Sequence, residues 1–74
     1  MSDHYQQLLR KLCRERGWAQ PIFSIRSDPP GHVCTVRVCG YSYTGIADLV
    51  PYGAKERAAA IAYENVRHLI IPWI

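Results

Sequence analysis

Residues Val50 to Val66 read VPYGAKERAAAIAYENV. Ala54, Ala58, Ala59, Ala60 and Ala62 make a helix that is almost all alanine on one side. A helix edged with alanine can lie close against something flat. Lys55 stands at the mouth of this stretch, and Pro51-Tyr52-Gly53 come just before it. The spacing predicts a helix from about Gly53 or Ala54 to Leu69, with Pro72 ending whatever remains. Two apolar arcs overlap on it. One runs through Ala58, Ile61, Ala62, Asn65, Val66 and Leu69, the other through Ala58, Ala59, Ala62, Tyr63 and Val66. Period alone does not choose between them.

The flat partner lies upstream. Pro21 forbids helix, and the alternation around Phe23 and Ile25 predicts a strand from Pro21 to Arg26. Ser27-Asp28-Pro29-Pro30-Gly31-His32 is dense in turn formers and reads as a loop. Val33 to Cys39 is a second strand, with Cys34, Val36 and Val38 on one face and Thr35, Arg37 and Cys39 on the other. Gly40 begins a turn, and Tyr41 to about Ala47 makes a third strand. Short connections make the sheet antiparallel.

Before the sheet, Tyr5, Leu8, Leu9, Leu12 and Cys13 mark an amphipathic helix. Asp3 and Gln6 suit a capping box, and Gly17 is a natural stop with Trp18 folding back behind it. The order is therefore α-β-β-β-α, an α+β two-layer fold with two helices on one face of a three-stranded antiparallel sheet. The 74 residues allow a single domain, with a core over about residues 3–69 and an apolar tail at 70–74.

Charge and composition narrow the function. The net charge of +3 permits an anionic partner, but there is no basic run of the kind that forms a nucleic-acid arm. The three cysteines, Cys13, Cys34 and Cys39, are odd in number and irregularly spaced, which argues against a secreted disulfide framework. With His32 or His68 they lack a CxxC spacing, and alternation separates Cys39 from Cys34. Cys13 and Cys34 read as small core residues, and no metal or cofactor is expected. The apolar end Leu69-Ile70-Ile71-Pro72-Trp73-Ile74 is too short to span a bilayer. No nucleophile–base order, Gly-rich phosphate loop or carboxylate pair stands out, so a non-enzymatic intracellular domain, cytoplasmic or nuclear, is expected.

Taken in order, several pieces resemble the double-stranded RNA-binding domain (dsRBD) family over about Tyr5 to Leu69. They are Leu8-Leu9 through Leu12-Cys13 with Arg16-Gly17-Trp18, then Pro21 and Phe23, then Pro29-Pro30-Gly31-His32. Thr35-Val36-Arg37-Val38, Tyr43-Thr44-Gly45, Ala54-Lys55, Ala58-Ala59 and Ala62 complete the set. The resemblance implies a module that reads duplex RNA by shape and by phosphate and 2′-hydroxyl contacts. It implies RNA contacts from Gln7, Arg10, Lys11 and Arg14 of the first helix, His32 of the interstrand loop, and Lys55 and Arg57 of the second helix. The sequence departs from the family at three places. Arg10 and Lys11 stand where a Gln-Glu pair is usual. The segment after Pro-Pro-Gly-His is short. Val50-Pro51-Tyr52-Gly53-Ala54-Lys55 replaces Ser-Lys-Lys-x-Ala-Lys, leaving only Lys55 of its lysines.

The lost lysines support an alternative, in which the same fold joins proteins, as a homodimer or with another partner, and binds RNA weakly or not at all. Tyrosine and arginine are enriched at interfaces, and Tyr41, Tyr43, Arg37, Thr35 and Cys39 are expected on the sheet face away from the helices. The expected interface residues are Tyr41, Tyr43, Leu49 and Tyr52, with Ile71 and Trp73 of the tail.

Overall fold

The computed structural model describes residues 3–69. Helix α1 spans His4–Arg16, strands β1, β2 and β3 span Ile22–Asp28, Gly31–Val38 and Tyr41–Thr44, and helix α2 spans Pro51–Val66. The strands form one antiparallel sheet in the order β1-β2-β3. Helix α2 lies on the sheet, chiefly over β2, and α1 packs alongside α2. Leu9, Leu12, Cys13, Cys34, Val36, Val38, Ala58, Ala62 and Val66 are buried in one core, as the α+β reading requires. Among the described residues no helix is long and apolar enough to cross a membrane.

The end of α1 follows its local sequence. Gly17 adopts φ 73°, and its N–H donates to the Arg14 carbonyl while Trp18 N–H donates to that of Cys13. These two bonds are a Schellman motif, and they turn Trp18 into the core beside Cys13. The start of α1 does not follow the expected capping box. Asp3 makes no side-chain cap and instead accepts from Gln7 Nε2 at 2.9 Å. The free N–H groups of Tyr5 and Gln6 donate to Glu56 Oε2 and Oε1 of α2, at 2.6 and 3.1 Å. The buried Gln6 side chain turns inward to the same carboxylate, Nε2 lying 3.4 Å from Oε1. The cap comes from across the fold.

Helix α2 begins earlier than its alanine pattern suggests, at Pro51, whose missing N–H is no loss in a first turn. Asp48 prepares this start, accepting from Val50 N–H at 3.1 Å and from Arg57 Nε at 2.7 Å. Gly53 is required beneath it, since a Cβ there would lie 2.6 Å from the Asp48 carboxyl carbon. The buried arc is Ala54, Ala58, Ala59, Ala62 and Val66, with Tyr63 half-buried, whereas Asn65 is exposed and donates to the Ile61 carbonyl. The second of the two arcs is therefore the inward one. Gly45 shows why this face is alanine: a Cβ on it would come within 2.6 Å of the Ala58 nitrogen.

Three expectations about the sheet are corrected. The residues read as an interstrand loop are mostly strand, because β1 and β2 pair all the way out to Asp28 and Gly31 and leave only Pro29-Pro30 as the turn, joined by a cis peptide. His32 thus lies in β2, its backbone N–H and C=O both bonded to Asp48 at 2.7 and 2.9 Å. Strand β3 stops at Thr44, where the chain turns in at Gly45 against α2 and rejoins β2 only at Asp48. Finally, Cys39 and Gly40 both have positive φ, a two-residue hairpin turn that pairs Val38 with Tyr41. That pairing puts Tyr41 and Tyr43 on the helix-facing side with Val38 and Val36, and Tyr43 packs against the core. Cys39 has left the strand and also packs against the core. The outer face carries Ser24, Thr35, Arg37, Ser42 and Thr44, with the Thr35 and Thr44 hydroxyls hydrogen-bonded at 2.8 Å.

Replacing Glu56 by Ala leaves the two α1 N–H groups without their acceptor, and urea denaturation is expected to show a loss of about 1–2 kcal/mol. Leu12→Ala empties part of the core and is expected to cost about 2–5 kcal/mol in the same measurement. A stable Leu12→Ala chain would mean that the α1 contact contributes little to folding.

Candidate nucleic-acid interface

The residues singled out for an anionic partner fall into three groups. On α1, Gln7, Lys11 and Arg14 are exposed and Arg10 is half-buried. The Arg10 guanidinium lies 5.9 Å from the centre of the Phe23 ring on β1, and Lys55 Nζ of α2 lies 5.2 Å from the same centre. Phe23 is on the helix-facing side because it pairs with buried Val36. It therefore serves as a shared platform on which cations from both helices meet. Each charge is within 6 Å of one ring centre, so the two are less than about 12 Å apart, close to a Debye length at physiological salt. An aromatic face offsets part of that repulsion, about 0.5–1 kcal/mol per exposed cation.

Arg57 is spent differently. It pairs with Asp48, whose carboxyl is held below its ordinary value of 3.8, first by Arg57 and then by the Val50 N–H. His32, expected in a flexible loop, is half-buried in β2, four residues along the strand from Val36 and so about 13 Å from the Phe23 pair. The structure brings Arg10 and Lys55 together, keeps Lys11 and Arg14 on the outer turn of α1, and leaves His32 and Arg57 apart from them.

Among the described residues the ion pairs are Arg57–Asp48 and Arg67–Glu64, so Arg10, Lys11, Arg14 and Lys55 are in none of them. Arg16 is basic but structural. It donates to the Leu69 and Arg67 carbonyls beyond α2 and lies over Trp18, placing a cation at a helix C-terminus. Sequence reasoning did not single out Phe23 as a platform, Asp48 as the partner of Arg57, or Glu56 as a cap. Each is one ordinary residue whose partner lies far along the chain. Burial raises the Cys13 and Cys34 thiols above their ordinary value, which keeps them protonated and suits small core residues.

The expected protein-contact residues are also divided. Leu49 is 73% exposed and Ile46 69%, and Val50 and Tyr52 are exposed beside them. Next to this segment an open groove of about 470 Å³ runs between the starts of α1 and α2, lined by Tyr5, Val50, Tyr52 and Ala60 together with Glu56 and Arg57. Tyr41 is exposed and Tyr43 half-buried, but they sit elsewhere. Tyr41 pairs with Val38 and Asp48 with His32, six residues apart on β2, a distance of about 20 Å. Ile71 and Trp73 lie outside the described residues.

No protein-family profile and no curated protein sequence matches this chain. Solved structures do. The dsRBD of human tRNA dihydrouridine synthase (20), as a mutant, superimposes with a TM-score of 0.78 at 22% identity, covering 89% of this chain and 72% of its own. The chain has a dsRBD-like fold. The dsRBD of a hypothetical protein aligns with a TM-score of 0.76 at 19% identity, over 95% of this chain and 62% of its own. The second dsRBD of DRB4 aligns with a TM-score of 0.65 at 17% identity, over 88% of this chain and 97% of its own. These dsRBDs share the helix, three antiparallel strands and second helix found here, and at these identities the likeness concerns the fold.

The lowered Asp48 carboxyl sets a direction with pH. A carboxyl depressed by folding contributes stability that is present above its unfolded value and lost as pH falls through the folded one. Stability is therefore expected to decline on acidification below 3.8, and Asp48→Asn should remove part of that decline. Urea melts of both proteins between about pH 5 and pH 2 check it.

Proposed function

We propose that this domain binds double-stranded RNA, reading the shape of the duplex and its phosphates rather than base sequence. The observation that carries the reading is the meeting of Arg10 and Lys55 over Phe23. Two like charges held near each other, with neither in an ion pair among the described residues, gain from a polyanion that neutralises both. Lys11 and Arg14 extend the same charge along exposed α1, where Gln7 offers a neutral hydrogen-bonding group for a groove. The dsRBD-like fold supports the same class of partner. Arg57 and His32 contribute less in this reading, because Asp48 holds the Arg57 side chain and the His32 backbone.

Neutralising a phosphate releases counterions, so affinity must fall as salt rises. Lys55→Ala and Lys11→Ala are each expected to weaken all duplexes alike and to flatten the salt slope by about one. Fluorescence anisotropy with duplexes of unrelated sequence at two salt concentrations checks both. A preference for one single-stranded sequence over every duplex would contradict the proposal.

A second reading rests on the exposed segment that holds Ile46, Leu49, Val50 and Tyr52. So much adjacent apolar surface fits a protein contact, and a two-fold contact between copies of this chain closes without forming fibres. In this reading Leu49 and Tyr52 form the contact, and Tyr41 and Tyr43 do not share it. Leu49→Lys is expected to shift mass toward monomer in light scattering with the circular dichroism unchanged. A wild-type chain that stays monomeric at high concentration removes the homodimer.

A further inference from the structure

Phe23 follows Ile22 at the start of β1 and pairs with buried Val36, which turns its ring toward the helices. Both helices bring a cation to it from the margin of a buried face. Arg10 stands one turn before buried Cys13 on α1, and Lys55 one turn before buried Ala59 on α2. Each side chain runs its apolar stem along the core before its charge emerges, and both residues are half-buried. Their charges lie 5.9 and 5.2 Å from the ring centre. Burial raises the Cys34 thiol of β2, and a hydrogen bond with the Ser24 backbone and the Lys55 charge act against it, so the ammonium also stands within electrostatic reach of the sheet.

Among the described residues neither cation is in an ion pair. Glu56, next to Lys55, accepts from the start of α1, and Asp48 holds Arg57. Lys11 and Arg14 differ: they are exposed, and among the described residues neither lies over a ring.

A long side chain loses rotamer freedom when it is fixed on a phosphate, and that loss weakens binding. A ring that already holds the charge removes part of the loss before RNA arrives. The aromatic face also offsets the repulsion between two like charges, so both stay together at the interface. An aliphatic side chain in the same place fills space and does neither.

We propose that Phe23 is a positioning residue for duplex RNA, acting through Arg10 and Lys55, which it holds as one preformed cationic pair. The inference rests on the duplex-RNA reading above and deepens it. Lys55 depends on the ring for its contribution, whereas Lys11 acts independently of it.

Double-mutant cycles read by fluorescence anisotropy on an RNA duplex of about 20 base pairs test this. Phe23→Leu removes the ring and no charge, and is expected to weaken binding by about threefold to tenfold. Phe23→Tyr restores the ring and recovers binding to within about twofold of the natural chain. Lys55→Ala costs at least about threefold less in the Phe23→Leu background than alone, while Lys11→Ala costs the same factor in both. General loosening of the core does not single out Lys55 in this way. A Lys55→Ala cost that is equal in the two backgrounds, or a Phe23→Leu chain that binds as tightly as the natural one or tighter, overturns the inference and leaves the duplex-RNA reading intact. Absence of binding by the natural chain to every duplex overturns both.

Proton NMR of the natural chain makes a second arm that does not depend on how a variant folds. Lys55 side-chain protons held over a ring resonate upfield of those of exposed Lys11, and they are expected to stay upfield when the duplex is added. Ordinary Lys55 shifts in the free protein, or shifts that return to ordinary values on binding, mean that the ring does not hold this cation for RNA, and overturn the inference.

Discussion

The Glu56 carboxylate holds the two helices in the relation on which the rest of the molecule depends. It accepts the Tyr5 and Gln6 N–H groups at the start of α1 while belonging to the second turn of α2. An anion at a helix N-terminus is favourable both for its hydrogen bonds and for the helix dipole. Because the bond joins residues fifty positions apart, it also sets how far α1 slides along α2. At the far end Arg16 reaches the Leu69 and Arg67 carbonyls. The pair is thus tied at both ends by opposite charges, each at the helix pole it suits. This arrangement turns Leu9, Leu12 and Cys13 inward and leaves Gln7, Lys11 and Arg14 outward.

Small side chains let this helical layer sit low on the sheet. Gly45 lies against the Ala58 backbone, and Ala54, Ala58, Ala59 and Ala62 are fully buried. An alanine face forgoes the large transfer energy of leucine but allows backbones to approach, and close packing recovers dispersion energy. The same closeness brings Lys55 over Phe23, where Arg10 also arrives. Charge convergence at the candidate RNA interface is therefore a consequence of core packing. The carboxylates Asp48 and Glu56 shape the other flank of α2, and each is used first for structure. A groove and exposed apolar residues lie beside that flank.

Much of the fold was legible in local signals. The apolar period of α1, the Gly17-Trp18 stop, the alternation of β2 and the alanine face of α2 each depend on neighbours within a few residues. Local sterics and hydrogen bonding decide such features, and all of them appear in the structure. Errors arose where parity or a distant partner decided. Counting alternation straight through the turn put Tyr41 and Tyr43 on the outer face. The two-residue turn at Cys39-Gly40 pairs residue 38 with 41 and reverses that parity. Turn-forming residues at 27–32 suggested a loop, yet strand pairing continued through most of them because cross-strand bonds outweigh weak local preference.

The sequence by itself determined the α-β-β-β-α order, a core that includes Leu9, Leu12, Val36, Val38, Ala58, Ala62 and Val66, and the set of cations available for an anionic partner. Composition and period act along the chain, and they are enough for that. Only the tertiary structure decided which cations act together. Arg10 and Lys55 meet on Phe23, Arg57 is claimed by Asp48, and His32 is fixed in a strand. The physical reason is that electrostatic partnership depends on distances of a few ångströms between residues far apart in sequence, and folding alone sets those distances.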